Sequence, residues 1–217
     1  MSIFKNKVVW ITGASSGIGE EIVKQLANEG AKIILSARKI DALEKLRVTL
    51  PNSNEHLCLT LDLENSSNFN GLAQQIFEKY GSIDYLFNNG GLSQRSEAID
   101  TPLDIDRRIM EINYFGNIAL TKAILPYMTS RHFGHIIVIS SIAGKFGFFL
   151  RSAYSASKHA LFGFYESLLL EVEKHGVNVT VVCPGKINTN ISVNALTEKG
   201  TAHGIMDHNQ STGMSVE

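Results

Sequence analysis

Apolar positions along the chain fall into six short, nearly continuous runs rich in Val and Ile: "KVVWIT" (7–12), "AKIILS" (31–36), "EHLCLTL" (55–61), "IDYLF" (83–87), "HIIVIS" (135–140) and "VNVTVVC" (177–183). Runs of this kind, without polar alternation, predict strands covered on both faces, as in a parallel sheet. Between them lie segments of helical period at about 17–29, 40–49, 65–80, 101–131 and 152–174. Strand and helix in alternation predict a doubly wound α/β sheet in a single domain. The segment "ALFGFYESLLLEVE" is apolar nearly all round, so its helix is expected to be buried on more than one side. The sheet covers one face, and a homodimer or homotetramer through helices 101–131 and 152–174 would cover the other.

The 217 residues are 44% hydrophobic and 19% charged, ample for one core. With a net charge of −1 there is no basic excess to follow a nucleic-acid backbone. Cys58 and Cys183 lie in strand-like runs and read as reduced thiols of a cytoplasmic protein. No CxxC or HExxH pattern supports a metal site, and no run approaches the roughly 18 residues of a membrane span.

The chemistry begins after the first strand. "TGASSGIG" (12–19) opens a helix, and Gly13, Gly17 and Gly19 allow a tight turn close to a bound group. The helix start offers N–H groups to a pyrophosphate, which makes Ser15, Ser16 and Ile18 candidate contacts as well. In a dinucleotide site, an acid at the end of the second strand grips the ribose 2′-hydroxyl. Here that place reads "SARK", with no acid until Asp41, and Arg38 has the fork suited to a 2′-phosphate. The reading is NADP(H) over NAD(H); an arginine merely solvated in a loop is the alternative. Asp62 either accepts from the adenine amino group or serves as a turn aspartate.

In "YSASK", Tyr154 and Lys158 stand one above the other on a helix. A cation beside a phenol favours the phenolate, bringing a group that ordinarily titrates at about pH 10 towards use as a general acid/base. The same spacing is also common in plain surface helices. "ISSIAG" ends the fifth strand, where a doubly wound sheet places its ligand. Ser141 is the candidate to steady a carbonyl or alkoxide oxygen, with Ser140 its competitor, since alternation turns only one of them that way. "LFNNGG" (86–91) brings Asn and Gly to the same crevice. Asn113, poorly suited to a helix interior, either kinks the helix or binds a water connecting to Lys158.

Together these segments resemble the short-chain dehydrogenase/reductase family, from about residue 5 to 190. The resemblance rests on "TGASSGIG", "NNGG", Asn113, Ser141, "YSASK" and "PGKINT" (184–189). It implies Ser141, Tyr154, Lys158 and Asn113 as the catalytic set, with Lys158 also on the nicotinamide ribose and Asn88 on the adenosine side. Pro184, Gly185 and Ile187 would cover the nicotinamide, and Thr189 the phosphates. Gly90 departs from the usual alanine, which is expected to loosen packing. "ALTKAILPYM", "GHIIVISSIAGK", "RSAYSASKHA" and "NISVNALT" are similar to the member 7B subgroup, implying an apolar, lipid-like carbonyl substrate. "FGFFL" (146–150), near the expected mouth, suits such a ligand, or else packs under a helix or at a subunit contact. Family members continue into another helix and a seventh strand, so a longer natural chain is expected. Residues 1–190 then form the catalytic domain, and 191–217 the start of a substrate-covering lid or a disordered tail. The implied function is NADP(H)-dependent reduction of a ketone or aldehyde, or oxidation of the alcohol. The alternative is an NADP(H)-binding module without turnover, which would not need Tyr154, Lys158, Ser141 and Asn113 together.

Overall fold

The computed structural model describes residues 2–216, apart from the side chain of Asn209. Six parallel strands form one sheet in the order β3-β2-β1-β4-β5-β6. They are β1 (Val8–Thr12), β2 (Lys32–Ala37), β3 (Leu57–Thr60), β4 (Tyr85–Asn88), β5 (Gly134–Ile139) and β6 (Val177–Val182). The helices are α1 (Gly17–Asn28), α2 (Ile40–Arg47), α3 (Phe69–Tyr80), α4 (Leu103–Met110), α5 (Gly116–Ser130), α6 (Ser152–Val172) and the single turn α7 (His208–Ser211). This is the doubly wound Rossmann arrangement expected from the alternating pattern.

Successive strand residues feed two separate cores, because side chains alternate across a sheet. Trp10, Ile34, Leu86, Ile136 and Val138 pack on one face with Ile124 of α5 and Leu161, Tyr165 and Leu168 of α6. Ile11, Ile33, Leu35, Ile137 and Ile139 face the other side, with Val23 and Leu26 of α1 and Leu43 of α2. Burial on both faces is why the strands read as continuous apolar runs.

Two helices differ from the pattern. The segment expected from residue 65 becomes α3 only at Phe69, since Asp62 Oδ1 accepts from Glu64 N (3.0 Å) and Asn65 Oδ1 from Ser67 N (3.2 Å). Such local side-chain bonds compete with helix. The expected helix 101–131 is one rod interrupted by a widened π-turn over Glu111–Phe115. There Asn117 Nδ2 donates to the loosened carbonyls of Ile112 (3.2 Å) and Asn113 (2.9 Å). π-turns inside helices tend to mark functional sites.

Strand order reverses between β1 and β4, whose crossovers leave in opposite directions. A crevice opens there at the strands' carboxyl ends. Thr12 closes its floor: its Oγ1 accepts from Asn89 N (3.0 Å) and Gly90 N (2.8 Å) and donates to Phe87 O (3.3 Å).

Candidate active site

A cleft of about 1060 Å³ runs over the carboxyl ends of the strands. Its first wall is the turn after β1, where Gly13 (φ 65°) and Gly17 (φ 56°) take left-handed conformations that disfavour a side chain. A Cβ on Gly17 would meet Thr189 Cγ2 at 3.1 Å, so Thr189 lies directly over this turn. Ser15, Ser16 and Ile18 line the wall, and the Ser16 side chain does not cap α1. The first-turn amides of α1 therefore lack a side-chain acceptor from their cap residue and suit an anionic ligand. Gly19 is not on the wall; a Cβ there would lie 2.3 Å from Gly13 O, so it serves the close fold of the turn.

At the ends of β2 and β3 lie Arg38 and Asp62. Arg38 is exposed and makes no ion pair with the described residues. Asp62 borders the cleft and also holds its turn, its Oδ1 accepting from Glu64 N.

The loop after β4 corrects two expectations. Asn88 does not reach the cleft. Its Nδ2 donates to Thr121 Oγ1 (2.8 Å) and the Tyr165 hydroxyl (3.0 Å) in the buried layer between α5 and α6. Asn89 lines the crevice instead, with Nδ2 donating to Thr12 O (3.0 Å). Gly90 does not loosen packing either: a Cβ there would stand 2.6 Å from Leu63 Cδ1, because Leu63 fills the volume an alanine methyl would take.

Asn113 occupies the π-turn, with its side chain engaged by Leu92 and Ser157 rather than by Lys158. A Cβ on Gly91 would meet both Asn113 Oδ1 (3.1 Å) and Lys158 Nζ (3.6 Å), so the two groups border the same small space.

The two serines divide as alternation requires. Ser140 Oγ turns away and donates to Lys158 O (3.1 Å). Ser141 borders the cleft, as Tyr154 does, and accepts from Ala143 N (3.1 Å). Tyr154 lies in the first turn of α6, and Lys158 one turn later places Nζ 5.8 Å from its ring centroid. Nζ donates to Ile139 O (2.8 Å). Burial raises the Tyr154 phenol above its ordinary range, opposed by the bond from Ser141 and by the charge of Arg151. Burial also brings the Lys158 ammonium down to about 8.

Pro184, Gly185, Ile187 and Thr189 line the wall after β6, and Phe148 and Phe149 the mouth. Residues 191–216 pack on the rim, with Ser192, Ala195 and Leu196 buried. Arg95 and Arg151 meet Asp207 there, a cluster sequence reasoning missed because its members lie in three separate segments. Among the described residues no group of three or more His, Cys, Asp or Glu could hold a metal, and no helix is long and apolar enough to cross a membrane.

A parallel sheet in this order, a glycine turn opening α1, and Ser, Tyr and Lys meeting at the end of β5 define a nucleotide-dependent oxidoreductase scaffold. The sequence matches the family described as short chain dehydrogenase over residues 7–200, and the chain belongs to that family. Its members bind a nicotinamide cofactor and act on small molecules. The chain is 45% identical to dehydrogenase/reductase SDR family member 7B of Mus musculus, over 98% of this chain and 67% of that protein. It is 47% identical to dehydrogenase/reductase SDR family protein 7-like of Anopheles gambiae, over 97% and 68% respectively. A crystal structure of a short-chain dehydrogenase from Streptomyces avermitilis superposes with a TM-score of 0.81 at 35% identity, covering 86% of this chain and 68% of that one.

Proposed function

We propose that this chain is an NADP(H)-dependent carbonyl reductase or alcohol dehydrogenase for an apolar substrate. The observation that carries the reading is that Ser141, Tyr154 and buried Lys158, with Nζ 5.8 Å from the Tyr154 ring, line one cleft with the Gly13–Ile18 turn. A bound nicotinamide cofactor supplies or accepts the hydride. Tyr154 gives its phenolic proton to the oxygen of a reduced carbonyl, or takes it back from the alcohol. Ser141 donates to that oxygen and holds it against Tyr154. Lys158 would hold the cofactor ribose. Asn113 fixes the Gly90–Leu92 wall beside it.

The cleft fits the cofactor by its donor set. The pyrophosphate would lie against the glycine turn and Thr189, and the nicotinamide under Pro184, Gly185 and Ile187. Arg38, which lines the cleft and makes no ion pair among the described residues, favours a 2′-phosphate. Phe148, Phe149, Ile187 and Leu196 support an apolar substrate. Exposed Phe115 beside α5 and Leu170 on α6 support pairing with a second copy of the chain.

Quenching of Trp10 fluorescence on titration with NADPH and NADH tests the cofactor. Arg38→Ala is expected to weaken NADPH about 10- to 100-fold while leaving NADH unchanged. Equal effects on both nucleotides would remove the phosphate reading. Tyr154→Phe is expected to bind NADPH normally and to lose about 100-fold or more in turnover of apolar ketones.

A further inference from the structure

We propose that Gln94, in the loop after β4, is a positioning residue: it holds the first turn of α6 so that Tyr154 keeps its place in the cleft. Tyr154 enters here as the proton-transfer group of the function proposed above, on which the inference rests. α6 starts at Ser152, and the side chain of its cap residue, Arg151, makes no bond to the helix start. Amides of a first helical turn have no partner within the helix. That of Ala153, the residue before Tyr154, is taken from outside: Ala153 N donates to Gln94 Oε1 at 2.9 Å. Gln94 is fully buried, and Tyr154 lines the cleft.

Gln94 is itself held from several directions. Its Nε2 donates to Ser96 Oγ (3.2 Å), Thr101 Oγ1 (3.1 Å) and Ser152 Oγ (3.4 Å). Its carbonyl accepts from Arg151 Nη1, which also donates to Ser93 Oγ at 2.8 Å. From the C-terminal segment, Leu196 N donates to Ser93 O (2.8 Å), and Arg95 N donates to Leu196 O (2.7 Å). Gln94 and Leu196 thus pair as neighbouring parallel strands do. Ser96 N donates to Leu150 O (3.3 Å) just before α6, and Ala153 clusters with Ile109 and Leu196.

Helix ends fray, and Tyr154 is only the third residue of α6. A general acid must stay within hydrogen-bond reach of the oxygen it serves, and a displacement of about 1 Å can cost about 100-fold in rate. An acceptor fixed in the core suppresses fraying at this turn. Gln94 acts on the phenol only through the backbone of Ala153 and touches no reacting atom. Lys158, one turn further into the helix and bonded to Ile139 O, does not depend on this end. Loss of the Gln94 bond should therefore lower turnover while leaving nucleotide affinity in place.

Gln94→Met keeps the length and removes the acceptor. Gln94→Glu keeps an acceptor for Ala153 N whether or not its carboxyl is ionised. Amide hydrogen exchange on the full chain reads the bond itself. The Ala153 amide is expected to be protected at least about 100-fold in wild type and in Gln94→Glu. Gln94→Met is expected to lose that protection while the amides of β1 and β5 keep theirs. Turnover of acetophenone with NADPH reads the consequence. Gln94→Met is expected to lose about 10- to 100-fold in kcat, and Gln94→Glu to stay within about threefold of wild type. The NADPH Kd, from Trp10 fluorescence, should stay within about threefold of wild type in both variants, a split that general loosening of the fold would not give. Four results each overturn the proposal: a fast-exchanging Ala153 amide in wild type, equal loss of protection in β1 and β5, a wild-type kcat in Gln94→Met, or a Gln94→Glu as impaired as Gln94→Met. If Gln94→Met does not fold, Gln94→Asn, whose amide falls one methylene short of Ala153 N, takes its place in the same measurements. If exchange follows the expected pattern while Tyr154→Phe reduces the ketone as fast as wild type, the hold on α6 stands and the catalytic reading of Tyr154 fails.

Discussion

Asn113 holds the backbone of Leu92 at both ends: Oδ1 accepts from Leu92 N at 2.7 Å, and Nδ2 donates to Leu92 O at 2.8 Å. One amide thus replaces the two partners that a strand neighbour would give. Nδ2 also donates to Ser157 Oγ (2.9 Å), tying the loop after β4 to α6. Asn113→Ala leaves both Leu92 groups and Ser157 short of a partner. The expected loss is about 2–4 kcal/mol in a urea titration. Weaker NADPH binding should accompany it, since Gly90 and Gly91 move with Leu92. A stability change below about 0.5 kcal/mol would mean that water replaces the amide without cost.

Gly90 gives a prediction of opposite character. Its missing methyl is replaced by Leu63, whose Cδ1 would stand 2.6 Å from the new Cβ, with Thr12 Oγ1 at 3.2 Å. A terminal methyl can rotate, so Gly90→Ala is expected to cost less than about 1.5 kcal/mol. Adding Leu63→Val should recover most of that loss. If it recovers none, the strain sits at Thr12, and cofactor affinity should fall with it.

The strands were legible because parallel strands must be apolar on both faces. The expected run 55–61 and the observed Leu57–Thr60 differ only at their ends. Ser141 was separable from Ser140 only by knowing which face β5 turns to the cleft, and the same parity decides between Asn88 and Asn89. The late start of α3 came from Asp62 and Asn65 bonding their own turns, which hydrophobic period does not record. The pairing of Arg151 with Asp207 joins residues 56 positions apart, and nothing periodic announces it. Chemistry carried by one turn of one element was readable; chemistry assembled from three loops was not.

His56 supplies an acid-sensitive strut beside β3. Its Nδ1 accepts from Ile33 N (3.1 Å), so the ring proton lies on Nε2, facing Pro51 O at 2.9 Å. Burial holds its pKa below the ordinary 6.5. Above that value both folded and unfolded chains carry neutral imidazole. As pH falls through 6.5 the unfolded chain gains a proton that the folded one resists, so stability is lost. The half-buried ring of His135 adds in the same direction. In His56→Gln, an amide can accept from Ile33 N and donate to Pro51 O without titrating. Its melting temperature should therefore fall less between pH 6.5 and 5 than that of wild type. Equal falls would leave the acid response to His135 and the carboxylates.

Lys158 is the residue where the proposed function opposes stability most directly. Its ammonium is buried with Ile139 O as hydrogen-bond partner, and burial brings its pKa from 10.5 to about 8. Below pH 8 the group is charged in both states, and the folded chain carries the full cost of the buried charge. Between 8 and 10.5 the folded state releases the proton while the unfolded state keeps it, so the cost shrinks as pH rises; above 10.5 it is gone. A gap of this size corresponds to roughly 3 kcal/mol, part of it offset by the bond to Ile139. Lys158→Met keeps the length and removes the charge. The variant is expected to be about 1–2 kcal/mol more stable than wild type at pH 7 without nucleotide. That advantage should fade by about pH 10. If Lys158 holds the cofactor ribose as proposed, NADPH should then stabilise the wild type more than the variant. Calorimetric melts at pH 7 and 10, with and without NADPH, separate these terms. A Lys158→Met variant less stable than wild type at pH 7 would show that Nζ contributes more to the fold through Ile139 than its buried charge costs.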